Sequence, residues 1–444
     1  MSVTKPPMLD ETGKALVGAA KQIADAIANS KTGTVYGFHI NGSESDPASK
    51  VTYLRDAIGA TPAAMNFTAG TFSYGSWADA FFLPRPCMLK SDGTVDYYLN
   101  PNDYTKKADG TASDISDTSY DGNAMMEWGR DGKKIWMKIV PDVDHNGASI
   151  YIADYQADAD FRDWPFHNSA GQSMDHFYTA IYNGSIISNK MRSLSGQTVS
   201  KSKTAAQEIT AAQLNNSVAA NIMWNTELHC DIMLINALLI LMGKSTNMQA
   251  VFGEGLHTGG NETINDSFTT GVHNSKGLFF GTNSGAISQG SYGNAVKVFG
   301  MENYWGFQWR RYQGHVMVDG AQKVKNTYGT EDGSTSNSYT VEGAPTGAGY
   351  KSTGATALSG TSGDYIIKEY FTEDGMFPAG ALGGTSSTYY CDGCWYNNSG
   401  VRVPRRGGDS RDGAKVGAFF VLLNSGASDA YWISGAALSC KPLA

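Results

Sequence analysis

The amino-acid sequence predicts an α+β chain of short strands, two main helices and long glycine-rich loops, preceded by an N-terminal helix and a small β region. Three observations predict it. Glycine supplies 52 of 444 residues, a density that would interrupt most helices. Charged residues make up only 17% while aromatic residues reach 11%, the reverse of a disordered chain. Apolar residues alternate over short runs between Gly/Asn/Ser turns, and one nearly continuous apolar block, 225–242, stands out as helical.

The elements follow in order. Between 8 and 29, Leu9, Leu16 and Ile23 stand seven apart, with Ala19 and Ala26 each three residues after one of them in the d-like slots, so 1–30 reads as a helix for oligomerisation or docking. A β-rich attachment region is expected over 31–120, opening with alternation at 35–40. The segment 92–123 carries seven Asp against two Lys and reads as an exposed acidic loop. Strands are expected at 134–140 and 149–153, around a turn with Asp142, Asp144, Asn146 and Gly147. That turn imitates a calcium loop, but Ala153 stands where a bidentate Glu is needed, so a hairpin turn is the better reading. Thr204 to Glu208 marks a helix start. His229, Cys230, Met223, Met233 and Met242 read as packing residues of the apolar helical territory. The stretch 344–363 is low in complexity and predicts an insertion, at about 320–370, within a domain spanning 121–444. Strands are expected at 416–423 and 430–439, with a turn over 424–429.

Several functions are excluded on residues alone. A net charge of -8 and a pI near 5.5 leave no basic footprint for nucleic acid. Five cysteines are too few for a disulfide scaffold. The N-terminal residues show no basic region followed by an apolar one. The longest apolar run, 232–242, falls short of the roughly 20 residues of a spanning helix, so no membrane insertion is expected. No phosphate-binding loop, nucleophile elbow or HExxH occurs. Cys391 and Cys394 form a lone CxxC without the second pair that zinc requires. No metal or cofactor is expected.

The C-terminal region has the composition of a recognition surface. Trp395, Tyr396, Asn397 and Asn398 precede a run containing Arg405, Arg406, Asp409, Ser410, Arg411, Asp412 and Lys415. Asp429, Tyr431, Trp432 and Ser434 follow. Aromatic side chains supply contact area at low entropic cost, Arg supplies planar hydrogen bonding, and Asn and Ser supply adaptable polar contacts.

Three stretches carry a resemblance. They are Gly300-Met-Glu-Asn-Tyr-Trp-Gly306 with Trp309 and Val318-Asp-Gly320; Gly122-Asn-Ala-Met-Met-Glu127 with the strand after it; and Arg406-Gly-Gly408 through Phe420 to Cys440. Over about 120–444 the chain resembles tailed-phage tail-tip and fibre proteins with a C-terminal C-type-lectin domain, of the branch related to formylglycine-generating enzymes. The resemblance implies a virion adhesin on the phage tail, made in the host cytoplasm. It would bind a host-cell surface receptor, protein or glycan, through the C-terminal residues named above. It also implies a homotrimer, joined to other virion tail proteins through its N-terminal region. In some members the same tail is rewritten by diversity-generating retroelements. Two alternatives stay open: a structural tail or decoration protein, and an oxidase relative using Cys391 and Cys394.

Overall fold

The computed structural model describes residues 33–217, 222–328 and 350–443. The chain divides into Met1–Thr34 and Val35–Ala444; the helix expected over 1–30 lies outside the described residues. Mixed α+β architecture is observed, with strands dominating and four helices among the described residues.

Alternation at 35–40 makes the strand Val35–Ile40, the centre of an antiparallel four-stranded sheet. Val51–Arg55 flanks it on one side; Ala148–Ala153 and then Trp136–Pro141 lie on the other. The residues 142–147 close a hairpin, as expected: the Asp142 N–H donates to the Gly147 carbonyl at 2.9 Å. Among the described residues no group of three His, Cys, Asp or Glu side chains could hold a metal.

A seven-stranded sheet runs Trp224–Thr226, Leu438–Cys440, Phe177–Ala180, Gly122–Trp128, Arg85–Lys90, Val95–Asn100, Asp103–Lys107. It corrects two expectations. Arg85–Lys90 pairs with Gly122–Trp128, so strand pairing crosses 120/121 and the 31–120 region is not a unit of its own. The 92–123 segment is not one acidic loop, because Val95–Asn100 and Asp103–Lys107 within it are strands. Several of its Asp residues build turns outside those strands: Asp92, Asp109 and Asp117 accept backbone N–H groups two residues on, the Asx-turn habit of short acidic side chains.

Helix α1, Ala205–Gln213, begins where expected. Thr204 and Gln207 form a reciprocal capping box, at 3.3 and 3.0 Å. Helix α2, His229–Gly243, is shorter than the apolar block, since Trp224–Thr226 joins the large sheet instead. His229, Cys230 and Met242 are buried, as expected. Two five-residue helices follow, α3 (Met248–Phe252) and α4 (Glu262–Asp266). No helix among the described residues is long and apolar enough to cross a membrane.

The C-terminal half builds a six-stranded sheet ordered Thr361–Tyr365, Gly393–Asn397, Gly417–Leu423, Arg405–Gly407, Trp309–Arg311, Ser434–Ala436. Thr361–Tyr365 belongs to the stretch expected to be an insertion, yet it is the sheet's edge strand. The last strand is also divided. Ser434–Ala436 closes this sheet, whereas Leu438–Cys440 crosses over and pairs between Phe177–Ala180 and Trp224–Thr226.

One buried ion cluster fastens these parts. Arg406 donates from Nη2 to both Glu227 carboxylate oxygens, at 2.7 and 2.9 Å, and from Nη1 to the Tyr304 carbonyl at 2.8 Å. Arg310 Nη1 stands 3.5 Å from the same carboxylate, and its Nη2 donates to the Glu302 carbonyl at 2.6 Å. The Glu302 carboxylate in turn accepts the N–H groups of Gly271 and His273, at 3.0 and 3.1 Å. Glu227, Glu302, Arg310 and Arg406 are all buried. Removing one partner strands the others in low dielectric, so Glu227→Gln is expected to cost about 3–5 kcal/mol in urea unfolding. A cost under about 1 kcal/mol, the surface-pair value, would contradict this role.

Candidate functional site

The site begins with the two-residue period of the six-stranded sheet. Cys394, Val421, Arg406 and Arg310 stand in one register row, and Trp395, Leu422, Arg405 and Arg311 in the next. Neighbouring rows face opposite sides. The Arg406 row faces the core and meets Glu227, while α2 packs there through Asn236, whose Nδ2 donates to the Ala418 carbonyl at 2.9 Å. The Arg405 row faces outward.

On the outward face two loops, 408–416 and 424–433, leave a cleft of about 430 Å³. Its lining includes Trp309, Trp395 and Leu422 from the sheet, with Arg405 beneath and Asp409, Arg411, Asp412, Tyr431 and Ile433 around it. Gly407 and Gly408 launch the first loop with φ of 87° and 80°. A Cβ on Gly408 would come within 2.6 Å of the Val416 side chain, so the position requires glycine on both counts.

Asp409 organises that loop. Although only 1% exposed, it accepts Trp309 Nε1 at 3.0 Å, the Arg411 N–H at 2.8 Å, and Arg411 Nε and Nη2 at 3.2 and 3.3 Å. Its own N–H donates to Asp412 Oδ2 at 2.8 Å. The Arg411 guanidinium then lies 4.8 Å from the Trp432 ring. Lys415 sits 5.3 Å from the Trp395 ring and pairs with Asp364 at 3.3 Å. Cation–ring contacts of this kind hold loop side chains over the aromatic surface.

Of the fifteen residues expected on the recognition surface, the cleft gathers six: Trp395, Arg405, Asp409, Arg411, Asp412 and Tyr431. Trp432, Lys415 and Asp429 flank it with partial exposure. Asn397 and Asn398, at the end of their strand, are partly exposed but do not line it. Four expectations need correction as contact residues. Arg406 is committed to Glu227 on the core face. Tyr396 is in the core. Ser410 is fully buried, its hydroxyl donating to Asn265 Oδ1 at 3.1 Å. Ser434 is fully buried within its strand. Asp409 acts by shaping the loop from beneath. Composition cannot separate these residues from surface ones; strand period can, because Arg405 and Arg406 must part to opposite faces. The same period would have found Trp309 and Leu422, which the sequence reading missed along with Asn424, Ser425 and Ile433.

The two thiols of the CxxC are free and buried. Burial pushes Cys391 up to about 12 and Cys394 well above the ordinary range. A reactive cysteine needs the opposite shift.

Burial, reinforced by the charge of Asp409, pushes the Asp412 carboxyl up to about 7. An unfolded Asp titrates near ~4, so the folded state holds this proton more tightly. The resulting stability is present in acid and is lost as pH rises from about 4 through about 7. Unfolding free energies measured at steps across that window should fall less steeply for Asp412→Asn than for wild type. Parallel pH profiles would contradict the shift.

No family model matches this chain, and no curated protein does either.

Proposed function

We propose that the chain is a tailed-phage virion adhesin that binds a host-cell surface receptor through the outward cleft of its C-terminal sheet. The observation that carries this reading is the convergence of six sequence-selected residues on one open cleft, with aromatic side chains and Arg411 at its rim. Residues distant in the chain, such as Trp309 and Tyr431, meet there, which exposed terminal loops without a common task have no reason to do.

The architecture supports the reading in a second way. The stretches that resemble the C-type-lectin branch hold the frame: Glu302 and Arg406 are members of the buried ion cluster, and the tail through Cys440 closes the large sheet. Short strands, two long helices and extended loops are compatible with that fold. In this reading the frame is kept while the loops above it vary. Lys415, Asp429, Tyr431 and Trp432 are the positions a retroelement could rewrite at least cost to folding, because each retains some exposure. Arg411 and Asp412 are also partly exposed but hold buried Asp409 in place. Buried Asp409, Ser410 and Ser434 are poor ones. Attachment to other tail proteins and homotrimer assembly are assigned to the N-terminal region, and repeated weak sites would gain avidity by assembling. The oxidase alternative loses support from the buried, protonated thiols.

The test is binding of the purified protein to intact candidate host cells, beside a variant carrying Arg411→Ala, Tyr431→Ala and Trp432→Ala. Tyr431 and Trp432 are exposed or half-exposed, so Tyr431→Ala with Trp432→Ala should keep the thermal unfolding midpoint within a few degrees, as surface changes do. Arg411 pairs with buried Asp409, so this double variant is measured beside the triple one to separate lost binding from a loosened loop. Cell binding by wild type and a drop of at least about tenfold in the variant are expected. Equal binding by both would place adhesion elsewhere, and binding by neither would favour a structural tail role.

A further inference from the structure

One buried cation at the base of the cleft lacks the partners its burial demands. Five arginines among the described residues are buried: Arg192, Arg310, Arg311, Arg405 and Arg406. Arg192 reaches four oxygens, of Asn123, Thr118, Tyr120 and Gly122. Arg310 reaches oxygens of Asn183, Glu302 and Glu227. Arg311 reaches Glu208 and the carbonyls of Lys203 and Asp429. Arg406 reaches both Glu227 carboxylate oxygens and the Tyr304 carbonyl. Arg405 is only 1% exposed, yet its one protein acceptor is the Asp429 carbonyl, at 3.2 Å from Nη2. Its Nε is buried without a partner, as are those of Arg310, Arg311 and Arg406; what separates Arg405 is that its remaining nitrogens meet one acceptor and no carboxylate.

A guanidinium has five N–H donors, and a buried charge without an ion partner is costly. Two acids lie near Arg405: Glu208 is already bonded to Arg311, and the Asp429 carboxylate accepts the Gly426 N–H instead of a guanidinium N–H. Burial and the charge of Arg311 pull Arg405 down to about 10, so it remains cationic at neutral pH. Arg405 therefore supplies a cation at the base of the cleft, where Asp409 is already neutralised by Arg411, and the cleft is large enough for a small ligand.

The surroundings narrow the class of anion. The Tyr431 ring, 49% exposed, lies 5.3 Å from the Arg405 guanidinium. Trp395, Leu422 and Ile433 extend the apolar lining, and Asn424, Ser425 and Asp412 add hydrogen-bonding groups. A flat aromatic and aliphatic lining suits the C–H face of a sugar ring. The adjoining amide, hydroxyl and carboxyl groups suit its hydroxyls, and the guanidinium suits a carboxylate in bidentate geometry. We propose that the cleft binds a carboxylate-bearing sugar residue, with Arg405 receiving the carboxylate and Trp395 and Tyr431 receiving the ring. The inference rests on the adhesion reading for the origin of the sugar, a glycan of the host surface.

The experiment uses the full chain and the methyl glycosides of glucuronic acid, galacturonic acid and N-acetylneuraminic acid. Methyl glucoside and methyl galactoside are the neutral controls, and ligand-observed NMR titration at pH 7 is the readout. At least one acidic sugar is expected to bind about tenfold tighter than the neutral sugars. Arg405→Gln should abolish that preference. Tyr431→Ala, at an exposed position, should weaken binding with Arg405 left intact, so the result does not depend on a buried substitution folding. Equal binding of acidic and neutral sugars, or of none, would overturn the inference. So would competition by acetate, phosphate or N-acetylglutamate amide as effective as that of the acidic sugar, the last meaning an acidic peptide site. Loss of cell adhesion in the triple variant without any sugar preference defeats this inference alone. A sugar preference with unchanged cell adhesion defeats the adhesion reading alone.

Discussion

Everything in the C-terminal half depends on where the Arg406 guanidinium goes. It is buried, and the Glu227 carboxylate that satisfies it belongs to the segment joining Trp224–Thr226 to α2. Charges taken out of water cost several kcal/mol each unless they are paired and hydrogen-bonded. Any arrangement that separates Arg406 from Glu227 leaves the Arg406 guanidinium buried without an ion partner and Glu227 with Arg310 alone. Arg310 shares the carboxylate and carries the constraint into the Trp309–Arg311 strand, whose neighbours are Arg405–Gly407 and Ser434–Ala436. The contribution is to specificity of arrangement more than to net stability, since a well-packed apolar substitute could match the energy of such a cluster.

The same constraint creates the cleft. With Arg406 and Arg310 held on the core side, strand geometry sends Arg405 and Arg311 to the other side. There Arg311 takes Glu208 from α1, and Arg405 is left under the loops. The Gly407–Gly408 pair lifts the chain off the sheet, and Asp409 folds back to hold Trp309 and Arg411. Frame and surface are thus one chain of causes: an ion pair sets the face, the face sets the row, and the row sets the base of the cleft. Above the base, Tyr431 and Trp432 keep their exposure and can change without disturbing the strand pairing beneath, whereas Arg411 is tied through Asp409 to Trp309.

Much of this was legible in the sequence where the determinant is local. The helix start at Thr204, the 142–147 hairpin, the alternation at 35–40 and the apolar helix depend on residues within a few positions of one another. Six of the cleft residues were legible by composition, because Trp, Tyr, Arg and Asp concentrate in that stretch. What composition hides is facing. Arg405 and Arg406 are identical letters with opposite surroundings, and the partner of Arg406 is 179 residues away. The segment 92–123 misled for a related reason: seven Asp residues suggest a solvated loop, while Val95, Tyr97 and Leu99 alternate quietly between turns that those Asp residues cap. The divided final strand depends on a long-range pairing, of Tyr178 with Cys440, that nothing near residue 440 announces.

The central claim is that contact with the cell surface is made by the outward cleft and its two loops. Hydroxyl-radical footprinting of the protein, free and bound to host cells, tests it most directly, because side-chain oxidation reports contact at aromatic and aliphatic positions throughout the chain. The account predicts loss of labelling at Trp395, Tyr431 and Trp432 on binding, while exposed Ile58 and Val143, on the loops after Val51–Arg55 and Trp136–Pro141, label as before. Protection at Ile58 and Val143 with unchanged labelling at Trp395, Tyr431 and Trp432 would contradict it.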